Sequence, residues 1–212
     1  MSEASRRDLL KTIALSIGVG PLSLEAAQHV HGLAAQAKAA AGVYKPKALT
    51  PHEYKTLEKL ADFIIPPDEA GWTFHTPFST EHGADHVPGA VEAGACEFID
   101  LLASQNPQLL AIYTGGISWL DHSSQRLYSK NYVDAAPQQQ TELLDLIAYR
   151  KDESPVLGPG IRFFDWARRM VVDAYYTSPA GIKAIGYIGN TAVAKFEVPQ
   201  EAIDYALKRS PV

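Results

Sequence analysis

The sequence predicts an all-α protein: one small domain of about five helices with long irregular loops, preceded by a signal peptide. Several segments carry apolar residues three and four positions apart, which is the helical period. Prolines stand at the expected first positions of three of these segments, at Pro51, Pro107 and Pro137. No stretch of appreciable length alternates apolar and polar residues, as a half-buried strand would.

The N-terminal residues resemble a twin-arginine export signal. Thirteen uncharged residues, 12–24, follow a basic stretch, and this run is shorter than the roughly 20 apolar residues that span a membrane. The segment Ser-Arg-Arg-Asp-Leu-Leu-Lys is similar to the pattern Ser/Thr-Arg-Arg-x-Phe-Leu-Lys through Arg6, Arg7, Leu9, Leu10 and Lys11. The alternative interpretation is a chance arginine pair ahead of an amphipathic helix. A twin-arginine signal implies a folded cargo and the twin-arginine translocase as partner, so we expect a cofactor either in this chain or in a companion.

The end of the signal is open at this stage. Two Ala-x-Ala motifs, at residues 35–37 and 39–41, fit signal cleavage equally well. The Ala/Gln-rich residues 25–43 are either a linker or a helix. We therefore expect a signal peptide and linker over residues 1–41 and a helical domain over residues 42–212.

Composition narrows the function classes. The formal net charge is −5 and the pI is about 5.8, so no basic face indicates nucleic-acid binding. The single cysteine, Cys96, excludes an intrachain disulfide or a cysteine-held cluster, and we expect its thiol to be buried. No second apolar run reaches membrane length. We expect a periplasmic domain, soluble or peripheral to the cytoplasmic membrane.

The first two domain helices have clear boundaries. Thr50 and Glu53 form a capping box at the start of the first helix, and Pro66-Pro67 ends it. Residues 66–90 then form a long irregular segment of a kind that is usually functional or mobile. A second helix follows over about 88–105.

Three more helices complete the domain. Gly115-Gly116 weakens the middle of the third helix, which begins at Pro107. The fourth begins at Pro137, and residues 156–160 break the chain before the fifth. The tail after residue 175 is rich in glycine and aromatic residues and is predicted to be mostly loop, with a short helix after Pro199.

Few residues suggest chemistry in this chain. Neither a Gly-x-Gly-x-x-Gly nor a Gly-x-Ser-x-Gly motif is present in the sequence. Three loop histidines with two nearby acids are weak metal-ligand candidates: His75, His82 and His86, with Glu81 and Asp85. Gly83 and Pro88 disfavour the helix that would align two of these histidines, so exposed loop histidines are the favoured interpretation. We expect no catalytic residue, cofactor or metal in this chain.

Aromatic residues gather in the loops and helix ends. Among glycine, proline and histidine, such residues are typical anchors of a protein interface. The alternative is that about half of them pack the domain itself. The candidate interface residues are Trp72, Phe74, Phe78, Tyr175, Tyr176 and Tyr187.

Several motifs together resemble the gluconate 2-dehydrogenase subunit 3 family. They are Pro-Pro-Asp-Glu at 66–69, Gly-Ala at 89–90, Glu-Ala-Gly at 92–94 and Phe-Ile-Asp at 98–100, followed by residues 163–181 and Gly-Tyr-Ile-Gly-Asn at 186–190. The resemblance covers most of the chain from residue 49 to about 190. Residues 70–88 are an insertion relative to the family pattern, which leaves the subtype and the partner open.

The resemblance implies a small, non-catalytic subunit. The large partner would be an FAD-containing flavoprotein of the glucose-methanol-choline class that oxidises a sugar or polyol, and a c-type cytochrome often accepts the electrons. The small subunit would stabilise the flavoprotein and escort it through export. Two other classes stay open: an independent periplasmic metal-binding or oxidoreductase domain that uses the loop histidines, and a structural periplasmic domain with another partner.

Overall fold

The computed structural model describes residues 23–67, 87–185, 187 and 198–209. These residues form eight α-helices and two 3₁₀ turns, with no strand among them, which confirms the predicted all-α class. The helices are α1 (Leu24–Ala41), α2 (Pro51–Ile64), α3 (Ala95–Ala103), α4 (Pro107–Tyr128), α5 (Pro137–Asp145), α6 (Gly158–Thr177), α7 (Pro179–Ala184) and α8 (Gln200–Arg209). The 3₁₀ turns are Tyr132–Asp134 and Arg150–Asp152. None of the helices in the described part of the chain is both long and apolar enough to cross a membrane.

Helix α3 is the centre of the core. All nine of its residues are buried, and it contacts α1, α2, α4 and α6. It begins later than predicted, because Gly94 adopts a left-handed backbone with φ of 81° and residues 90–94 form a turn. Cys96 lies in this helix with its thiol free and buried, as expected.

Helix α1 lies before the predicted domain boundary at residues 41/42 and packs on the helices that follow it. The Ser23 side chain accepts a hydrogen bond from the Ala26 N–H, and Gly42 ends the helix with φ of 73°. Its buried face packs against α3 and α6 and joins the main core through three apolar side chains: Ala27, Val30 and Ala34. Residues 24–41 are therefore part of the folded domain, and both Ala-x-Ala motifs lie inside a helix.

Helix α2 begins as predicted. Thr50 Oγ1 accepts from the Glu53 N–H, and Glu53 Oε2 accepts from the Thr50 N–H at 2.8 Å, so both halves of the capping box are present. The helix ends at Ile64, just before Pro66-Pro67. Leu57, Leu60 and Ala61 lie on its buried face.

Helix α4 is continuous across Gly115-Gly116, where a weak point was predicted. A Cβ on Gly116 would lie 2.0 Å from Cδ2 of Phe163, so the bare backbone lets that ring pack against α4. The same ring meets Tyr113 edge to face, with centroids 6.0 Å apart. Packing against α6 therefore outweighs the low helix propensity of glycine.

Helix α6 begins inside the segment that was predicted to break the chain. Gly158 is its first residue, and Gly160 lies against Trp119, where a Cβ would come within 2.5 Å of the indole ring. The short helix predicted after Pro199 is confirmed as α8. The described residues form three helices besides the five predicted for the domain. Helices α1 and α7 pack on the domain, whereas α8 buries none of its residues.

Candidate functional site: helix attachment and an exposed C-terminal segment

Most of the predicted site residues lie outside the described part of the chain. These are the export-signal residues Arg6, Arg7, Leu9, Leu10 and Lys11, the metal candidates His75, His82 and His86, and the loop aromatics Trp72, Phe74 and Phe78. The described residues contain no group of three or more histidine, cysteine or acidic side chains that could hold a metal ion. What the structure places is the attachment of α1 and the C-terminal segment.

The carboxylate of Asp100 fastens the connection between α1 and α2. It is fully buried and accepts four hydrogen bonds. Oδ2 accepts from the Tyr44 hydroxyl at 2.8 Å and the Lys47 N–H at 2.7 Å. Oδ1 accepts from the Ala48 N–H at 3.0 Å and the Leu49 N–H at 2.9 Å. These four donors occupy the lone pairs of the carboxylate, so one side chain of α3 fixes the whole connecting segment.

Two further contacts hold α1 on the core. Lys38 Nζ donates to Glu97 Oε1 at 3.3 Å, which links the last turn of α1 to α3. His31 is buried, its ring lies 4.7 Å from that of Phe98, and its Nε2 is 3.3 Å from Thr177 Oγ1. Burial lowers the pKa of His31 from 6.5 to about 4, against a smaller opposing effect of a backbone hydrogen bond with Ala174. The imidazole is therefore neutral in the folded protein near pH 7.

This histidine makes α1 sensitive to acid. Because the pKa of His31 is lower in the folded state than in the unfolded chain, the unfolded state binds the proton more tightly below pH 6.5. We expect its contribution to stability to be complete above pH 6.5 and to fall as the pH drops towards 4, by about 1.4 kcal/mol per pH unit. Urea unfolding at about pH 7, 6 and 5 measures this slope, since these values run from above the unfolded-state pKa of His31 towards its folded-state pKa.

The control for that measurement is His31→Leu, which removes the titrating group but keeps an apolar side chain. The unfolding free energy of wild type should fall more steeply with decreasing pH than that of this variant, since all other titrating groups contribute equally to both proteins. Equal slopes for the two proteins would contradict the assignment of the acid sensitivity to His31.

The C-terminal segment exposes apolar side chains that the described fold does not bury. Tyr187 is 50% exposed and Leu207 is 68% exposed. On α8, Ala202, Ile203, Ala206 and Leu207 share one face at helical spacing, with charged residues on the other side. The Arg209 guanidinium lies 4.4 Å from the Tyr205 ring centroid and also donates a hydrogen bond to the Tyr205 hydroxyl. Since α8 buries none of its residues, this amphipathic helix has an apolar face available for a partner.

The three predicted tyrosines of this region separate into two groups. Tyr175 is only 3% exposed and belongs to the hydrophobic core, as the alternative of packing inside the domain expects. It lies on the buried face of α6 and meets Tyr176 edge to face at 5.0 Å. Tyr176 is 43% exposed and Tyr187 is 50% exposed, so these two side chains are accessible to a partner.

Sequence reasoning missed two features of the site. Asp100 was noticed only as part of the Phe-Ile-Asp motif, although an acid in the otherwise apolar stretch 98–103 is itself a signal for a buried hydrogen-bonding role. The apolar face of α8 was also missed, although residues 202, 203, 206 and 207 show the helical spacing.

Comparison with known proteins identifies the family. The family model described as gluconate 2-dehydrogenase subunit 3 matches residues 51–194, which cover α2 to α7. No curated protein and no solved structure matches the chain. Because the family model covers more than half of the sequence, the chain belongs to the gluconate 2-dehydrogenase subunit 3 family, and membership implies a subunit of a multi-subunit dehydrogenase complex.

Proposed function

We propose that this chain is the non-catalytic small subunit of a periplasmic FAD-dependent sugar or polyol dehydrogenase. In this role it stabilises the large flavoprotein subunit and carries it through twin-arginine export, and a c-type cytochrome is the candidate third subunit. Family membership supports the place in a dehydrogenase complex. The structural observation that carries the proposal is the apolar C-terminal segment, which includes α8 and Tyr187.

A partner explains why α8 is helical. An isolated helix of 10 residues is marginal in water, and most helical stability in proteins comes from packing an apolar face. Insertion of an amphipathic helix into a groove on another protein is a common recognition mode. We propose that the α8 face and Tyr187 pack against the flavoprotein, together with the aromatic residues of the 70–88 segment.

The attachment of α1 suits the escort role. The export-type signal precedes α1 directly in the sequence. Glu97 and His31 hold α1 on the core, and Asp100 holds the segment that follows it. A signal on such a helix is joined to a folded domain rather than to a loose tail. The companion bound to that domain would then be exported with it.

Removing the exposed C-terminal anchors should weaken assembly. We expect Tyr187→Ala and Leu207→Ala each to lower the affinity for the co-expressed flavoprotein subunit by about ten-fold or more, since a buried anchor contributes about 2 kcal/mol and ten-fold is about 1.4 kcal/mol. Both side chains are at least half exposed, so the melting temperature should not change. Co-purification and a binding titration provide the two measurements.

The matched control is Leu127→Ala, a residue of α4 that is 54% exposed. It should leave both assembly and melting unchanged. If the C-terminal variants bind the flavoprotein as well as wild type does, the proposed contact is excluded. If wild type itself shows no association, the proposed function is wrong.

The export proposal has a separate test. Arg6→Lys combined with Arg7→Lys should leave both this chain and the flavoprotein in the cytoplasm, because the receptor reads the arginine pair rather than its charge. The control is Arg126→Lys combined with Arg162→Lys, which makes the same chemical change at two exposed positions outside the signal. Fractionation followed by immunoblotting reads out the result, and normal periplasmic levels of the signal variant would refute twin-arginine export.

A further inference from the structure

Three arginines share one carboxylate on the outer side of α6. Arg150 Nη2 donates to Asp165 Oδ2 at 2.6 Å. Arg169 Nη2 is 3.3 Å from the same oxygen, and Arg168 Nη2 is 3.4 Å from Oδ1. The three arginine side chains are 76%, 61% and 51% exposed, whereas the Asp165 side chain is 19% exposed. The carboxylate is thus largely covered, and the guanidinium groups face outwards.

The three guanidinium groups carry more N–H donors than the Asp165 carboxylate can accept. Each guanidinium carries five N–H donors in a planar fork, while one carboxylate offers about four lone-pair sites. Hydrogen bonding by Arg150 lowers the pKa of Asp165, so the carboxylate stays ionised and its one negative charge faces three positive guanidinium groups. Most of the N–H groups remain directed to solvent. Planar forks of this kind match carboxylates in a bidentate geometry.

Aromatic and apolar side chains accompany these arginines. The Arg169 guanidinium lies 5.5 Å from the ring centroid of the half-buried Trp166, whose Nε1 is buried with no acceptor among the described residues. In the preceding segment Tyr149 and Val156 are each 59% exposed, and Leu146 is 45% exposed. Arginine, tryptophan and tyrosine are the residues enriched at the energetic centres of protein interfaces. This mixture favours a protein surface over lipid headgroups.

We propose that this basic face, formed by Arg150, Trp166, Arg168 and Arg169 with Tyr149, binds a carboxylate-rich surface of the large dehydrogenase subunit. The proposal rests on the proposed function and adds a second, polar contact to the apolar contact of the C-terminal segment. Its charge is opposite to that of the chain as a whole, which carries a net −5. A positive patch on a negatively charged chain would orient the two subunits as they associate, because complementary charge steers association.

Neutralising the patch tests the proposal. Arg168→Gln with Arg169→Gln should lower the affinity for the co-expressed flavoprotein subunit about ten-fold and flatten its dependence on salt between about 0.05 and 0.3 M. Arg168→Lys with Arg169→Lys keeps the charge but loses the fork, so its affinity should be intermediate. Lys55→Gln with Arg126→Gln removes the same charge from exposed positions on other helices and should bind as wild type does.

The possible outcomes separate the two hypotheses. If the glutamine variant has the affinity and salt dependence of the control, the basic face is not the contact, even though the proposed function stands. If wild type does not bind the flavoprotein at all, the proposed function fails and this inference fails with it. Binding of wild type to phosphatidylglycerol vesicles that the glutamine variant loses, with unchanged flavoprotein affinity, would assign the face to a membrane surface and overturn the proposal.

Discussion

Asp100→Ala is expected to lower the free energy of unfolding by about 2–6 kcal/mol, because it leaves four donors without their acceptor and two of these, the Tyr44 hydroxyl and the Leu49 N–H, are buried. Each buried donor that loses its partner costs about 1–3 kcal/mol, and bonds to a charged acceptor are the stronger ones. Domains of this size are stable by only about 5–15 kcal/mol in total. Urea unfolding of the purified chain at neutral pH provides the measurement.

Two milder variants should cost less stability than Asp100→Ala. Tyr44→Phe removes a single donor and should cost about 1 kcal/mol. Asp100→Asn keeps one acceptor oxygen but turns an amide N–H₂ towards two donors. Its loss of unfolding free energy should therefore lie between those of Tyr44→Phe and Asp100→Ala. Hydrogen exchange should show that α1 loses protection first. A loss below about 1 kcal/mol for Asp100→Ala would show that the carboxylate does not organise this connection.

Gly116→Ala is expected to lower stability by about 1–3 kcal/mol, which is the usual cost of overpacking a core. The new Cβ would lie 2.0–2.5 Å from three ring carbons of Phe163. That ring is 4% exposed and lies against the fully buried Tyr113, so it has little freedom to move away. Thermal unfolding and urea titration both report the loss.

The neighbouring glycine provides a matched control. Gly115 has nothing within 4 Å of its would-be Cβ and lies on the exposed side of the same helix. Gly115→Ala should therefore stabilise the protein by up to about 1 kcal/mol through helix propensity alone. In a double-mutant cycle, Phe163→Leu should relieve part of the Gly116→Ala penalty. Equal effects of the two alanine substitutions would exclude the proposed close packing of α4 on α6.

Local signals in the sequence predict the helix starts well. The capping box of Thr50 and Glu53 and the prolines at positions 51, 107 and 137 mark the first residues of α2, α4 and α5. These signals act within one turn of backbone, so they can be read without knowledge of the fold. The all-α class follows from the same short-range periodicity.

Effects that depend on distant residues were not predictable in the same way. Gly116 disfavours a helix by itself, and only the ring of Phe163, 47 positions along the chain, explains its place in α4. Residues 24–41 show a weak helical pattern, and only their burial against α3 and α6 makes them part of the domain. Tyr175 and Tyr176 are identical in type and adjacent, yet the helical turn sends one into the core and leaves the other accessible. Which tyrosine is buried depends on which side of α6 faces the core, and the sequence defines this rotation of the helix only roughly.

Under the proposed export, the position of α1 limits where a peptidase can shorten this chain. Peptidases require an extended substrate, and both Ala-x-Ala motifs lie in hydrogen-bonded turns of a packed helix. A cut after Ala41 would also separate Val30 and His31 from the domain and uncover the ring of Phe98 that His31 contacts. A protein that keeps this fold must retain the sequence from Ser23 onwards, so under the proposed export any trimming falls before the Ser23 cap.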